Sequence, residues 1–235
     1  MSEAPFPPFP ISGITIPTTP LVLAALEYSQ SHTSVTTVNH CLRSTAFALI
    51  LARKDPAYAS VDPETIALCT ILHDMGWATT KLDGANIARD FIQTEIAHAD
   101  HDTGKAKFDE HRIQLIWDAI ALHTTPSISA HKQKEVALTT FGILGDIAGP
   151  HHPSGMISVD EYKEVVRAFP RAGFREAIPQ IMCALCTEKP ETTYDNAVGE
   201  MGLKFGAEGY REKWEKNRMS DVLHGALEAC KQYEE

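Results

Sequence analysis

Apolar residues recur every three or four positions along most of the chain, and few stretches alternate with the period of two of a half-buried strand. This pattern predicts helix after helix. A short apolar-rich segment runs from Pro20 to about Ser31, and a long helix-favouring one from about Thr36 to Lys54. Asp62-Pro63-Glu64 opens the next. It supplies an N-cap acid, a proline at the first helical position and an acid at the positive end of the helix dipole. Ile66, Leu68, Ile71 and Leu72 follow on that helix. Further helices are expected over Gly84 to about Thr94, Phe108 to Leu122, Lys134 to Ile147, Ser158 to Phe169, Arg171 to Thr187, Thr193 to Leu203 and Arg211 to Gln232. Ser158 and Glu161 stand at capping-box spacing, while Pro126 and Gly149-Pro150 act as stops. The expected fold is all-α, a bundle of about eight to ten helices.

Proline marks off the beginning. Pro5, Pro7, Pro8, Pro10, Pro17 and Pro20 crowd the first 20 residues. Proline lacks an N–H and clashes with the preceding turn, so this stretch reads as a non-helical arm over 1–19, lying on the surface or partly disordered. Residues 20–235 then form a single all-α domain with a C-terminal helical extension.

Composition narrows the function. The chain has 235 residues, 43% apolar and 22% charged, enough for a sizeable core. The net charge of −10 opposes binding to nucleic acid or an anionic membrane surface. No apolar run approaches the roughly 20 residues of a membrane span. Five Cys are too few and too odd for a disulfide framework. Cys183 and Cys186 form a CxxC pair, but their neighbours Ile181, Met182 and Leu185 are apolar and no second pair exists, so they read as packed thiols. The beginning lacks a basic stretch followed by an apolar run, so a cytoplasmic protein is expected. The expected partner is a small-molecule substrate. A homo-oligomer is compatible, and the proline-rich arm could reach a neighbouring subunit.

Eleven His direct the search for chemistry. His73-Asp74 follows the apolar Ile71-Leu72, where charged and imidazole groups seldom stand unless they are paired or ligate something. His40 lies early in the long second helix, and Asp146 sits among the apolar residues of Leu144-Gly145-Asp146-Ile147. Facing helices of a bundle can bring such positions together. Two imidazoles and two carboxylates make a divalent-metal set that leaves a position open for water. His123 ends an apolar helix, where the dipole alone favours it, or it faces the same pocket and handles a proton. Arg43 either orients Asp74 or faces solvent. Asn39 either donates to substrate or caps its helix. His98 and His101 sit in a polar stretch and read as solvent-facing, as do His151 and His152 in a Pro/Gly loop. Cys41 reads as a packed thiol, and no Gly-x-Ser-x-Gly elbow is present.

The ordered set His40, His73-Asp74, Asp146 resembles the H…HD…D signature of the HD-domain metalloenzymes. The flanks Asn39-His40-Cys41-Leu42-Arg43, Leu72-His73-Asp74-Met75-Gly76, Asp83 to Phe91 and Trp117 to Thr124 are similar to the subfamily that includes fungal cyanamide hydratase and related bacterial proteins. Phe169-Pro170-Arg171 and Lys189 to Tyr194 resemble its C-terminal part. The resemblance covers roughly residues 10–205 and implies an HD core at about 36–150. It also implies a divalent metal held by His40, His73, Asp74 and Asp146, with zinc first and iron, manganese or nickel as alternatives.

HD proteins include nucleotidases, cyclic-nucleotide phosphodiesterases, hydratases and di-iron oxygenases, so the fold does not fix the reaction. Many HD phosphohydrolases carry a Lys or Arg soon after the dyad. Here Met75-Gly76-Trp77-Ala78-Thr79-Thr80 precedes the first lysine, Lys81. A Trp and small residues suit a small, weakly charged substrate. The expectation is therefore a hydratase-type hydro-lyase acting on a cyanamide- or nitrile-like carbon, with Asp74, His123, Asn39 and Arg43 serving catalysis. The alternative is a phosphohydrolase drawing charge from Lys81, Arg89 and Lys105. A non-catalytic helical protein and a di-iron oxygenase, with a second metal drawn from His98, His101 or His123, are the remaining readings.

Overall fold

A computed structural model describes residues 5–77, 84–98 and 107–234. They divide into two compact units, one ending at Phe174 and the other running from Arg175 to Glu235. Among the described residues there are twelve α-helices and no strand, only an isolated bridge between Phe9 and Ile14. Within the first unit these are α1 (Pro20–His32), α2 (Val35–Lys54), α3 (Pro63–Leu72), α4 (Gly84–His98), α5 (Glu110–Leu122), α6 (Pro126–Ser129), α7 (Lys134–Ala148) and α8 (Val159–Ala168). Next come α9 (Phe174–Glu188), α10 (Ala197–Phe205), α11 (Tyr210–Asn217) and α12 (Met219–Cys230). The all-α expectation holds. Two helices exceed the expected number, because Pro126 starts one extra turn and the last helix breaks at Arg218, whose ψ of 127° is extended. Gly173, left-handed at φ +73°, delays the start of α9 to Phe174.

The start signals act through their side chains. Asp62 accepts the Thr65 N–H at 3.0 Å and Ser34 that of Thr37 at 3.2 Å. Ser158 and Glu161 complete the capping box. Asn39 caps nothing, because α2 begins five residues earlier at its Ser34 cap.

The centre of the first unit is α2, buried without interruption from His40 to Leu51. A helix buried on every side needs neighbours on every side, and α1, α3 and α7 supply them. The closest approach is to α7. A Cβ at Gly142 would stand 2.7 Å from the Ser44 carbonyl oxygen, and one at Gly145 would stand 2.8 Å from Phe47 Cβ. Only glycine lets α7 lie this near α2, which brings Asp146, the next residue, against it.

The proline-rich segment keeps Pro5, Pro7, Pro8 and Pro10 exposed but is pinned by its apolar side chains. Phe6, Phe9, Ile14 and Ile16 are buried in the same core. Glu164 of α8 accepts the backbone N–H groups of Ile11 and Ser12 at 2.7 and 2.9 Å and the Ser12 hydroxyl at 2.7 Å. A chain that cannot form its own helix is thereby tied by side-chain acceptors and apolar anchors.

The second unit has a smaller core of Cys186, Val198 and Tyr210. Cys186 is buried and donates to the Val198 carbonyl, as a packed thiol does, while Cys183 is half-buried. No described helix is long and apolar enough to cross a membrane.

Candidate metal centre

Three chain ends or turns and one buried helix surround the cluster. His40 lies in the second turn of α2. Buried from Glu64 to Leu72, α3 delivers His73 at its C-cap and Asp74 one residue later, before the turn Met75–Trp77. His123 takes the same C-cap place on α5. The apolar run of α3 therefore stops where its polar pair begins, deep in the core.

His40 Nε2 and His73 Nε2 stand 3.3 Å apart, and Asp74 Oδ2 lies 3.6 and 3.1 Å from them. All three residues are buried and their ligand atoms lie within 4.8 Å of one another. The imidazoles are held alike. His73 Nδ1 donates to the Thr70 carbonyl at 2.8 Å, and His40 Nδ1 to Asp146 Oδ2 at 2.6 Å. With each proton fixed on Nδ1, the Nε2 lone pairs face the same spot, as metal-binding histidines require. Neither Asp74 oxygen receives a hydrogen bond, although the carboxylate is almost fully buried. His73 Nε2 approaches Oδ2 as an ion-pair partner at 3.1 Å. Buried polar atoms are nearly always satisfied, so a bare buried carboxylate facing two imidazoles fits a divalent cation.

The electrostatics agree. Burial opposes charge on His73, but Asp74 and Cys41 outweigh it and raise its pKa well above the usual value. Burial likewise opposes charge on Asp74, but His73, followed by His40 and His123, outweighs it and holds the carboxyl low. The spot attracts positive charge, which a proton or a metal ion can supply. Cys41 Sγ lies 3.8 Å from His73 Nδ1, and burial raises its pKa, so it is a packed thiol rather than a ready nucleophile.

His123 closes another side. Its Nδ1 donates to the Ile120 carbonyl at 2.6 Å, and its Nε2 lies 4.0 Å from Asp74 Oδ1. Burial first, then the charge of His73, lowers its pKa to about 4. It is a neutral imidazole with a bare Nε2 beside the cluster.

Asp146 stands apart from the three converging donors. Arg43 Nε and Nη2 give its two oxygens a bidentate pair at 2.7 and 2.9 Å, and His40 Nδ1 takes the remaining approach. Arg43 orients Asp146, rather than Asp74 or solvent as the sequence suggested. It is fully buried, and its Nη1 donates to the Phe169 and Pro170 carbonyls. Asn39 also donates to the Pro170 carbonyl, at 3.1 Å. Arg171, to which the sequence assigned no role, donates to the Asp146 backbone carbonyl at 2.7 Å. Phe174 lies under both guanidinium groups, 4.9 Å from each, and stacks on His40. No sequence signal marked Phe174, since an aromatic at a helix start is ordinarily core.

The other histidines separate cleanly. His98 is exposed, as expected. His101, Lys81 and Lys105 lie outside the described residues. Arg89 is 39% exposed and faces Asp90. His151 is exposed, but His152 is buried at 5%, against the surface reading, because the Gly/Pro loop turns it inward against Phe141.

The HD-domain family model matches residues 37–171, which include every residue of this cluster. The chain belongs to the HD-domain family. Curated proteins offer no match to it. HD domains bind divalent metals, and membership implies a metal-dependent enzyme of hydrolase type. The His40, His73 and Asp74 cluster is where this HD domain can hold its ion.

Proposed function

We propose that the protein is a metal-dependent hydratase-type enzyme that adds water to a small, weakly charged molecule with an electrophilic carbon of the cyanamide or nitrile kind, giving a urea- or amide-like product. The observation that carries this reading is the bare Asp74 carboxylate beside two aligned imidazoles, in surroundings whose described cations are already engaged. Arg43 directs its donors to Asp146 and to backbone carbonyls, and Arg171 directs Nη1 to the Asp146 carbonyl. The residue three beyond Asp74 is Trp77, whose ring lies parallel to that of His40 at 6.2 Å. A phosphate ester would look for free cations here.

His40, His73 and Asp74 hold the ion, with zinc proposed first, and Asp146 joins them or keeps His40 aligned from behind. When bound, a divalent ion acidifies water toward a pKa of about 7 and polarises an electrophilic carbon. His123 is neutral and keeps Nε2 bare, so it accepts a proton from water on the Asp74 side and returns it to the product nitrogen. Asn39 offers its second amide hydrogen to the charge that develops on that nitrogen. Arg43 positions Asp146 and, through it, His40.

Incubating the zinc-loaded protein with cyanamide and measuring urea tests the proposal. Urea should form, and the His73→Ala variant should lose it by at least about a hundredfold. Phosphate released from nucleoside monophosphates, with no urea from cyanamide, would replace the hydratase with a phosphohydrolase. A protein that refuses zinc, manganese and iron would remove both.

A further inference from the structure

Two guanidinium groups meet one carboxylate behind His40. Arg43 gives Asp146 a bidentate pair at 2.7 and 2.9 Å. Arg171 Nη1 stands 3.8 Å from the same carboxylate and donates to the Asp146 backbone carbonyl at 2.7 Å. No other carboxylate among the described residues pairs with either of them. Arginine stays protonated in proteins. One negative charge against two positive ones leaves a positive surplus beside an imidazole that has to hold a cation.

The flat side of Arg43 also needs a partner. Its rim donates to both Asp146 oxygens and to the Phe169 and Pro170 carbonyls, and the residue is fully buried. Hydrogen bonds in the plane of a guanidinium leave its faces to packing, and an aromatic face stacks well there.

Phe174 meets both needs. Its ring is 3% exposed, and the ring centroid lies 4.9 Å from Cζ of each guanidinium. The face of a benzene ring carries negative charge and attracts such cations. The same ring lies 4.8 Å from that of His40, at an interplanar angle of 30°. The Nδ1 hydrogen bond to Asp146 fixes where one edge of the imidazole points but lets the ring turn about that bond. A second ring laid against its face removes this freedom and so fixes Nε2. A local turn places the group: Phe174 N–H donates to the Arg171 carbonyl at 3.0 Å, with Gly173 left-handed at φ +73° between them. The stretch matched by the HD model ends at residue 171, so family membership assigns Phe174 no part.

We propose that Phe174 is a positioning residue of the metal centre. Its electron-rich ring holds Arg43 and Arg171 and packs on His40, which keeps Asp146 and the imidazole in the orientation that binds the ion. This rests on the cluster holding a metal and not on the reaction that follows.

Zinc affinity of the folded protein, measured by competition with a chelating dye, tests the proposal. Phe174→Leu keeps an apolar side chain but removes the ring, and should weaken zinc binding about ten- to a hundredfold, as loss of a group that orients a metal-binding histidine does. Pentafluorophenylalanine at position 174 keeps a ring but reverses the charge of its faces. It should weaken binding at least about fivefold, the worth of one cation–π contact. Phe108→Leu is the control. Phe108 is buried in the core and takes Arg112 over its ring at 5.0 Å, but it has no part in the contacts around His40. Its loss should lower stability and leave zinc affinity unchanged. In metal-free protein, the His40 Nδ1–H should give a slowly exchanging downfield proton resonance that Phe174→Leu opens to rapid exchange. The fluorinated ring decides the matter if Phe174→Leu folds poorly. Zinc affinity that survives the fluorinated ring, or that falls equally in Phe108→Leu, would overturn this proposal alone. A native chain that refuses zinc would remove the metal centre and the proposal with it.

Discussion

Two aspartates flank His40, and both are almost completely buried, yet the protein treats them in opposite ways. On the α2–α7 side, Asp146 is saturated: a bidentate guanidinium and the Nδ1–H of His40 occupy its oxygens. On the α3 side, neither oxygen of Asp74 has a geometric hydrogen bond from the described residues. Burying a carboxylate is expensive in both places. At Asp146 the fold offsets that cost itself, with a charge partner and hydrogen bonds. At Asp74 the offset comes from the neighbouring imidazoles, His73 first, and no guanidinium reaches it among the described residues. The difference separates, within a few ångströms, a carboxylate occupied by protein donors from one that faces two imidazoles.

The largest effect should come from breaking the saturated side. Asp146→Asn in metal-free protein leaves Arg43 buried and short of its counter-charge, and should cost about 3–5 kcal/mol in denaturant unfolding. Asp74→Asn, by contrast, removes a buried charge that is offset only by neighbouring imidazoles, His73 first. It should cost the metal-free protein less than the Asp146 change does, while bound metal measured by mass spectrometry falls below about a tenth of the native content. Equal destabilisation by the two changes would erase the distinction between the two carboxylates.

Gly145→Ala tests how Asp146 is delivered. The new methyl would meet Phe47 Cβ at 2.8 Å and push α7 from α2. A loss of about 1–3 kcal/mol is expected from overpacking, and metal retention should weaken as His40 loses its hold.

The smallest effect is one of pH. His123 titrates near 4 in the folded chain against 6.5 when unperturbed. Its pKa is depressed on folding, so its contribution to stability is complete above about 6.5 and is lost as pH falls toward 4. His73 is shifted upward and has the opposite sign: its contribution is complete below 6.5 and fades as pH rises through its folded value. Comparing metal-free native protein with His123→Gln isolates the first effect. Denaturation midpoints between pH 6.5 and 4.5 should fall less steeply in the variant. Parallel curves would mean that His123 is not kept neutral by the site.

Much of this molecule is legible from residue order. Helix starts at Asp62 and Ser158 follow from local hydrogen bonding, because a side-chain oxygen two or three residues before an unpaired N–H caps it whatever the rest of the chain does. His40, His73 and Asp74 could be selected because imidazole and carboxylate groups in apolar runs demand a partner. Position in the chain could not say which partner. Arg43 met Asp146 rather than Asp74, since the pairing depends on how closely α7 approaches α2. The buried anchors Phe6, Phe9, Ile14 and Ile16 and the inward His152 were missed for a related reason. Proline and glycine exclude a helix, but they do not decide whether the resulting loop meets water or core.

Sequence by itself thus determined the helical class, most helix limits and the kind of atoms that could hold an ion, all of which rest on interactions within a few residues. Tertiary structure decided which carboxylate is bound by a guanidinium and which faces the imidazoles, and which imidazole nitrogen faces the cluster. Those outcomes depend on distances between α2, α3, α5 and α7, and such distances are set by packing of side chains far apart in the chain.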